Sequence, residues 1–273
     1  NRTTLFNGSI VIDYLSSFMK IITLIAALVV LLISSNYLRA FKIFKIEYPI
    51  LILSSVLGMM IMISSNDLIV FYMGLELQSL GLYVLATFNR DQLKSSEAGL
   101  KYFVLSALSS GLLLYGCSLI YGFTGSTNFG FISTQFDTNE YALTFGIVFV
   151  LVGLAFKISA VPFHMWAPDV YEGSPTSVTL FFTMVPKIAA LTVFIRFLYV
   201  PFLNLIDQWQ IILVFISIAS MLFGAIAAIG QKNLKRLIAY SSISHIGYAL
   251  AGLATGSNGG IQSSVVYLSL IHI

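Results

Sequence analysis

The chain has 273 residues, of which 58% are hydrophobic and only 9% are charged, and its mean hydropathy is +0.93. A soluble domain carries about 45–50% apolar and about 25% charged residues, so this composition excludes a globular cytosolic enzyme, a nucleic-acid-binding protein and a disordered chain. The formal net charge of +3 is too small to indicate a polyanionic partner. The composition predicts an integral membrane protein.

Apolar runs long enough to cross a bilayer recur along the whole chain. A transmembrane helix needs about 20 apolar residues. The runs are continuous and lack the alternation of a membrane β-barrel, so strands are not expected. The predicted fold is therefore an all-α membrane protein, a polytopic transmembrane helix bundle, with a ninth span that starts near residue 260. The eight complete spans are predicted at 14–36, 48–65, 67–88, 99–121, 142–163, 176–200, 208–230 and 234–255.

The loops between these spans differ in charge. Those after the first, third and seventh spans are basic, whereas the alternate loops are acidic, with Arg196 as their nearby cation. By the positive-inside rule, the basic loops face the cytoplasm or the mitochondrial matrix. The connection between the fifth and sixth spans should lie on that same side, but it holds Asp169 and Glu172 and no basic residue, which indicates another role. The basic residues are Arg39, Lys42, Lys45, Arg90, Lys94, Lys232, Lys235 and Arg236, and the acidic ones are Asp67, Asp137, Glu140 and Asp207.

The ends of the sequence and its longest loop allow three smaller predictions. The sequence begins at Asn1 without an initiator methionine or a signal peptide and ends inside a new apolar run, so we expect a part of a longer protein. The connection 122–141 is polar, and we expect a short interfacial helix in it. The lone Cys117 lies in an apolar run and is expected to pack as a small hydrophobic side chain.

Several ionisable side chains fall inside the predicted spans. A charge at a helix centre costs about 2.5–3.5 kcal/mol on insertion scales, so such residues persist when they pair, line a wet cavity or carry ions. Burial lowers the pKa of a lysine and raises that of a glutamate, which brings both towards proton exchange at neutral pH. A glutamate and several buried lysines on different helices are therefore a candidate proton relay. The residues are Lys20, Glu76, Lys101, Lys157, Lys187 and the polar His245.

Each of these residues also has a structural interpretation. Lys20 could extend its ammonium to the headgroups, and Lys101 could pair with Glu97, four residues earlier on the same helix face. His245 could be a hydrogen-bonded packing residue. The other three residues lie nearer to mid-span, where the alternative is a structural salt bridge.

Two prolines lie close to candidate lysines. Pro162 follows Lys157 by five residues, and Pro186 immediately precedes Lys187. A proline inside a helix leaves the carbonyl four residues back without its donor. Broken helices at membrane depth often mark ion pathways, so we predict broken helices near both prolines. The alternative is an ordinary kink.

The sequence lacks the motifs of redox and nucleotide chemistry. It contains no Gly-x-Gly-x-x-Gly, no P-loop, no cysteine cluster and no paired histidines for haem or zinc. Any nicotinamide, flavin, iron–sulfur or ATP chemistry is therefore expected on another chain.

Four segments, 74–80, 99–103, 156–176 and 232–248, carry a specific resemblance. They resemble the antiporter-like membrane subunits of NADH-quinone oxidoreductase, respiratory complex I. The sequence Asp-Val-Tyr-Glu-Gly at 169–173 favours a resemblance to the subunit N family, whose mitochondrial counterpart is NADH dehydrogenase subunit 2. The sister subunits L and M and the Mrp-type sodium/proton antiporters share the Lys–Pro–Phe–His frame.

The resemblance implies an arrangement of two inverted five-helix repeats within a single transmembrane domain, 1–273. The first repeat would cover 48–200, and 208–273 would begin the second. The family's proton-path residues match Glu76, Lys101, Lys157 and Lys187, and His245 matches a histidine of the second repeat. The family's later lysine has no equivalent in this sequence, and the segment around His272 departs from the family pattern.

The function implied by the resemblance is that of a proton-translocating membrane-arm subunit of respiratory NADH:quinone oxidoreductase. NADH, FMN, iron–sulfur clusters and quinone are then expected on partner subunits, with no cofactor or metal in this chain. The expected partners are other membrane-arm subunits, including neighbouring antiporter-like subunits, and the lipid bilayer, but no nucleic acid. The location would be the bacterial plasma membrane or the mitochondrial inner membrane. The alternatives are a component of a Mrp-type cation/proton antiporter and a non-pumping structural subunit.

Overall fold

A computed structural model describes residues 2–135 and 140–272. Asp137 and the side chains of Glu140 and His272 lie outside what it describes. Within the described ranges, seven helices are long and apolar enough to cross a membrane, and a shorter apolar helix covers Tyr141–Lys157. The all-α prediction is confirmed. The helices are α1 (Tyr14–Ala40), α2 (Glu47–Ser64), α3 (Leu68–Ala86), α4 (Leu93–Thr124), α5 (Phe129–Ile132), α6 (Glu140–Lys157), α7 (Trp166–Gly173), α8 (Thr176–Tyr199), α9 (Ile206–Ile229), α10 (Leu234–Ala254) and α11 (Asn258–His272).

Polar side chains determine where several of these helices begin. Asp13, Asp67 and Asn233 occupy the N-cap positions of α1, α3 and α10, and each accepts a hydrogen bond from a backbone N–H of the first turn. Such caps satisfy N–H groups that have no partner within the helix. The short helix expected in the longest loop is α5, which Asn128 caps in the same way.

Glycines allow the helices to pack closely in pairs. A Cβ atom at Gly58 of α2 would lie 2.5 Å from the backbone nitrogen of Gln78 in α3. In the same way, a Cβ atom at Gly224 of α9 would lie 2.7 Å from the backbone nitrogen of Ser244 in α10. Small residues at helix contacts allow close backbone approach, which stabilises helix pairs in a membrane. α8 lies at the centre of the bundle, and most of its residues are buried.

α6 ends inside the bundle, before Pro162. Its last residue is Lys157, whereas the apolar run predicted a span over 142–163. Ser159 adopts a left-handed conformation with φ +59°, and the N–H groups of Ser159 and Ala160 donate to carbonyls of the last turn at 3.0 and 2.9 Å. This is the hydrogen-bond pattern of a Schellman motif, which terminates a helix. The broken helix predicted near Pro162 is confirmed.

The break predicted near Pro186 is wrong, because α8 continues from Thr176 to Tyr199 with this proline inside it. Proline removes one helical hydrogen bond, the one that the carbonyl of Phe182 would have accepted. The hydroxyl group of Tyr171 donates to that carbonyl at 3.4 Å instead. A side chain from α7 therefore replaces the missing donor, and the helix remains continuous.

The prediction that the chain contains no strands is wrong for a short segment before α1. Strands β1 (Thr3–Leu5) and β2 (Ile10–Ile12) pair antiparallel. Phe6, Asn7 and Gly8 turn the chain between them with φ values of 51°, 54° and 84°. Asn and Gly are the residues that adopt this left-handed conformation most readily. The hairpin precedes the first apolar run, so the hydropathy of the spans does not indicate it.

The alternation of the helices predicts opposite membrane sides for the loop before α4 and the loop after α10. In a Cys117→Ser background, a cysteine at Asp91, in the basic loop before α4, should be labelled only from the cytoplasmic side. A cysteine at Ser257, after α10, should be labelled only from the opposite side, because an odd number of spans separates the two positions. Cys117 is buried, and Ser257 and Asp91 are exposed. Labelling of both positions from one side of sealed vesicles would contradict this topology.

Candidate functional site

Lys157 is buried at the C-terminal end of α6. Only 7% of the residue is exposed. Its ammonium group donates hydrogen bonds to the hydroxyls of Ser79 on α3 and Ser106 on α4, both at 2.7 Å. It lies 5.9 Å from the ring centroid of Tyr83, whose hydroxyl donates to Ser106 at 2.7 Å. The lysine is thus held by neutral hydroxyl groups and by an aromatic face.

Glu76 lies on α3, one turn before Ser79. Its Oε1 atom is buried and has no hydrogen-bond partner among the described residues. Glu76 interacts electrostatically with Lys157. Among the described side chains, neither Glu76 nor Lys157 forms an ion pair within 4 Å. The glutamate is therefore a nearby counter-charge and not a contact partner, and the salt-bridge interpretation does not describe this geometry.

Lys187 lies in the middle of α8, and only 2% of it is exposed. Its ammonium donates to the Ser242 hydroxyl on α10 at 2.8 Å and lies 5.8 Å from the ring centroid of Tyr171. The lysine also lines a cavity of about 530 Å³ between α1, α8, α10 and α11. The same cavity is lined by His245, so that this histidine and Lys187, both candidates from the sequence, border one space.

His245 is half-buried on α10. Its Nδ1 atom lies 2.8 Å from the hydroxyl oxygen of Tyr267 on α11. Which of the two atoms donates depends on the tautomer of the imidazole ring. The ring therefore joins α10 to α11 and borders the cavity at the same time, so that the packing role and the relay role fit the same geometry.

Aromatic rings fill the space between the two lysines. Tyr83 and Tyr102 have ring centroids 5.1 Å apart, Tyr102 stacks on Trp166 at 4.5 Å, and Trp166 lies 6.2 Å from Tyr171. The indole N–H of Trp166 donates to the carbonyl of Phe156 at 2.8 Å, which fixes α7 against the end of α6. This aromatic stack leads from the ring under one lysine to the ring under the other.

Lys101 is not a member of this buried group. Its side chain is 44% exposed, and its ammonium lies 2.8 Å from a Glu97 carboxylate oxygen and 3.2 Å from one of Asp169. The pairing with Glu97 that the sequence offered as an alternative is therefore present. Lys101 belongs to a set of charged side chains on the side of the basic loops, which we call the inner-face cluster: Lys94, Glu97, Lys101, Asp169, Glu172 and Arg236.

The inner-face cluster holds α7 between α4 and α10. Arg236 of α10 contacts Asp169 at 2.7 Å and Glu172 at 3.2 Å. Burial alone would raise the pKa of Asp169, but hydrogen bonds from Arg236 and Lys101 outweigh burial and hold that pKa below its ordinary value. The hydrogen bond from Arg236 likewise lowers the pKa of Glu172. Both carboxylates therefore stay charged at neutral pH. The cations that pair with this acidic connection come from α4 and α10.

Lys20, the remaining candidate from the sequence, lies near the buried Arg196 and apart from the other candidates. Lys20 of α1 is half-buried and interacts electrostatically with Arg196 and Asp13. Arg196 is buried at the opposite end of α8 from the inner-face cluster, where its Nε–H donates to the carbonyl of Ile63 at 2.8 Å and its Nη2 pairs with Asp13. Arg196, which the sequence indicated only as a cation near the acidic loops, is thus a structural residue of the helix bundle.

The sequence did not reveal the hydroxyl partners of the lysines. Ser79, Ser106 and Ser242 lie in apolar runs, and serines are common at helix contacts in membranes. Their position within the runs is a weak signal, and no sequence pattern connects them to lysines 51–78 residues away. Within the described ranges, no group of three or more His, Cys, Asp or Glu side chains could hold a metal ion.

The fold and the site define a multi-pass membrane helix bundle with basic side chains in its interior. The chain belongs to the family described as "NADH:quinone oxidoreductase/Mrp antiporter, TM", whose model matches residues 65–273. It is similar to NADH-quinone oxidoreductase subunit N of Pelagibacter ubique, with 78% identity over 267 residues that cover 98% of this chain and 57% of that protein. The subunit N of Parvibaculum lavamentivorans is 57% identical over 265 residues, 96% of this chain and 55% of that protein.

Solved structures give the same result. A chain of respiratory complex I from Thermus thermophilus superposes with a TM-score of 0.81 at 33% identity and covers all of this chain and 59% of its own. A chain of the Mrp complex from a Dietzia species has a TM-score of 0.86 at 27% identity, covering 96% of this chain and 49% of its own. The resemblance predicted from the sequence is confirmed.

The chain spans about half the length of the curated relatives that it matches. Its apolar helices and its family make it a multi-pass membrane protein. The relatives named above are bacterial, so of the two predicted locations the bacterial inner membrane is the one supported.

Proposed function

We propose that the chain is part of a proton-translocating membrane-arm subunit of a respiratory NADH:quinone oxidoreductase. The observation that carries this proposal is that both buried lysines contact serine hydroxyls and not carboxylates. A hydroxyl both donates and accepts hydrogen bonds, so it can accept from an ammonium and donate to a neutral amine. A contacting carboxylate would favour the ammonium alone. These surroundings therefore suit the gain and loss of a proton.

Within this function, Lys157 and Lys187 form the central relay, and His245 continues it at the cavity that it lines together with Lys187. Glu76 acts on Lys157 as a counter-charge whose approach or withdrawal changes its proton affinity. Lys101 has a different place, because its exposure in the inner-face cluster suits proton entry from the surface.

The repeats implied by the resemblance remain part of the proposal. Residues 48–200 would form the first repeat, and residues 208–273 would begin the second. The glycine contacts support this division, because α2 packs on α3 and α9 packs on α10 in the same manner. The predicted topology makes α2 and α9 run in opposite directions through the membrane, as an inverted repeat requires.

The redox chemistry would take place on partner subunits. NADH, FMN, iron–sulfur clusters and quinone would bind there, and this chain would contact other membrane-arm subunits, including neighbouring antiporter-like subunits. The names of the relatives and of the Thermus thermophilus complex support this assignment.

A Mrp-type cation/proton antiporter component is the second candidate, favoured by the TM-score of 0.86 to the Dietzia chain. Deletion of the full-length gene separates the two. We expect the loss of NADH-dependent quinone reduction in isolated membranes, with growth in high sodium unaffected. Loss of sodium tolerance with intact quinone reduction would instead establish the antiporter. A merely structural subunit would tolerate neutralisation of its buried lysines with an unchanged pumping stoichiometry.

Replacing Glu76 tests its part in the relay. Glu76→Gln should lower coupled proton pumping several-fold, because Lys157 loses its nearby negative charge. Glu76→Asp should retain more activity because it keeps that charge. The measurement is proton uptake in reconstituted vesicles at equal amounts of assembled complex. Unchanged pumping by the glutamine variant would remove Glu76 from the relay.

A further inference from the structure

The two buried lysines differ in what surrounds the serines that they contact. At the first, the Lys157 ammonium donates to Ser106, the Tyr83 hydroxyl donates to the same serine, and the ammonium lies 5.9 Å from the Tyr83 ring. Both bonds to Ser106 are 2.7 Å long. A serine oxygen has two acceptor lone pairs. Here one is used by the lysine and the other by the tyrosine.

The second lysine has the same residue types around it but a different hydrogen-bond pattern. The Lys187 ammonium donates to Ser242 at 2.8 Å and lies 5.8 Å from the Tyr171 ring. The one proton of the Tyr171 hydroxyl goes to the carbonyl of Phe182, and that of Ser242 goes to the carbonyl of Ala239 at 2.9 Å. A phenol that has already donated its proton cannot hold the serine in the same way. Of the two lysines, Lys157 is therefore the one whose serine accepts from a buried tyrosine, Tyr83, which is 7% exposed.

The tyrosine has a definite physical effect on the serine. A serine hydroxyl rotates to suit its surroundings, so on its own it would not hold a lone pair on the lysine. A second hydrogen bond from a buried phenol restricts that rotation, and the phenol, with an ordinary pKa of about 10, stays neutral while the lysine changes charge. Second hydrogen bonds of this kind keep a functional group in place.

We propose that Tyr83 is a positioning residue of the relay, which fixes Ser106, a serine that accepts a hydrogen bond of the buried Lys157. This inference rests on the proposed function. It assigns a role in proton movement to a hydroxyl group that does not itself contact a lysine through a hydrogen bond.

The test uses tyrosine-to-phenylalanine variants in the assembled complex, because they remove the hydroxyl and keep the ring. We expect Tyr83→Phe to lower pumping at least threefold at neutral pH and to shift the pH dependence of pumping by at least half a unit. Tyr102→Phe is the matched control, since this residue contributes its ring to the same aromatic stack. It should behave like the wild type. An unchanged pH profile in Tyr83→Phe would overturn the proposal.

A double-mutant cycle separates positioning from a general packing effect. If Tyr83 acts through Ser106, the loss caused by Tyr83→Phe should disappear in a Ser106→Ala background. Additive losses would contradict the inference.

The lysines themselves provide the outcome that distinguishes the two proposals. Loss of pumping on Lys157→Ala and Lys187→Ala, with a wild-type pH profile in Tyr83→Phe, would leave the proposed function standing and remove only the positioning role. Wild-type pumping in the lysine variants would remove both. The amount of assembled complex in the membrane, measured for each variant, shows whether a loss reflects folding.

Discussion

Lys187→Ala and Lys187→Arg should both abolish coupled proton pumping while the complex still assembles. Lys187 is buried in the centre of α8, and its ammonium contacts the neutral hydroxyl of Ser242. An arginine retains the positive charge but cannot release its proton in a protein, whereas a buried lysine can. A fixed structural charge would therefore tolerate arginine, and a proton carrier would not. We expect at least a tenfold loss for both variants.

The measurement is acidification of reconstituted vesicles driven by NADH, compared at equal amounts of complex. Lys232→Ala is the matched control, because Lys232 is an exposed lysine in the basic loop before α10. It should pump like the wild type. Normal pumping by the arginine variant would show that Lys187 serves as a fixed charge, and the relay assignment would be wrong.

Arg196→Ala should destabilise the folded subunit by about 3 kcal/mol. Removing one partner of a buried ion pair costs about 3–5 kcal/mol, and the lower end applies because Asp13 keeps 26% of its side chain exposed. The arginine also donates to the carbonyl of Ile63, so its loss leaves a helix end without a donor. Arg196→Lys should fall between the wild type and alanine, since it keeps the charge without the second bond. Thermal unfolding of the purified complex measures the effect.

The pH dependence of stability gives an independent check on the same pair. Burial alone would raise the pKa of Asp13, but hydrogen bonds from the Ser16 backbone and from Arg196 outweigh it and lower that pKa. A carboxylate with a lowered pKa in the folded state contributes stability above its ordinary pKa, and this is lost as pH falls through the lowered value. Arg196→Ala should weaken this acid dependence. Equal acid sensitivity in the variant and the wild type would contradict the pairing.

The sequence predicted the spans well because their signal is local. Continuous apolar runs of about 20 residues define a transmembrane helix without reference to the rest of the fold. The starts of α1, α3 and α10 follow from capping residues that are also visible in the sequence. The same spans indicated the buried lysines, which the resemblance then matched to family residues, and the structure places Lys157 and Lys187 in the interior as expected.

The features that the sequence missed depend on contacts between distant segments. The apolar run around α6 continues to Phe163, so hydropathy could not show that the backbone turns at Ser159, a serine in a conformation that glycine usually adopts. α8 stays continuous at Pro186 because Tyr171 reaches it from another helix. Lys101 lies in a predicted span, but its side chain pairs with Asp169, which is 68 residues away in the sequence. Spacing along the chain contains no information on such pairs.

The early end of α6 has an electrostatic consequence for Lys157, which lies in the last turn. The aligned peptide dipoles of a helix act like about half a negative charge at its C-terminal end, worth about 0.3–1 kcal/mol to a cation on the surface and up to about 2 kcal/mol in a partly buried site. Peptide dipoles do not titrate, so this contribution is the same at every pH. Lys157 therefore experiences one fixed partial charge from the backbone and a second influence, from the Glu76 carboxylate, that movement of this side chain can strengthen or weaken. Only the second can act as a switch.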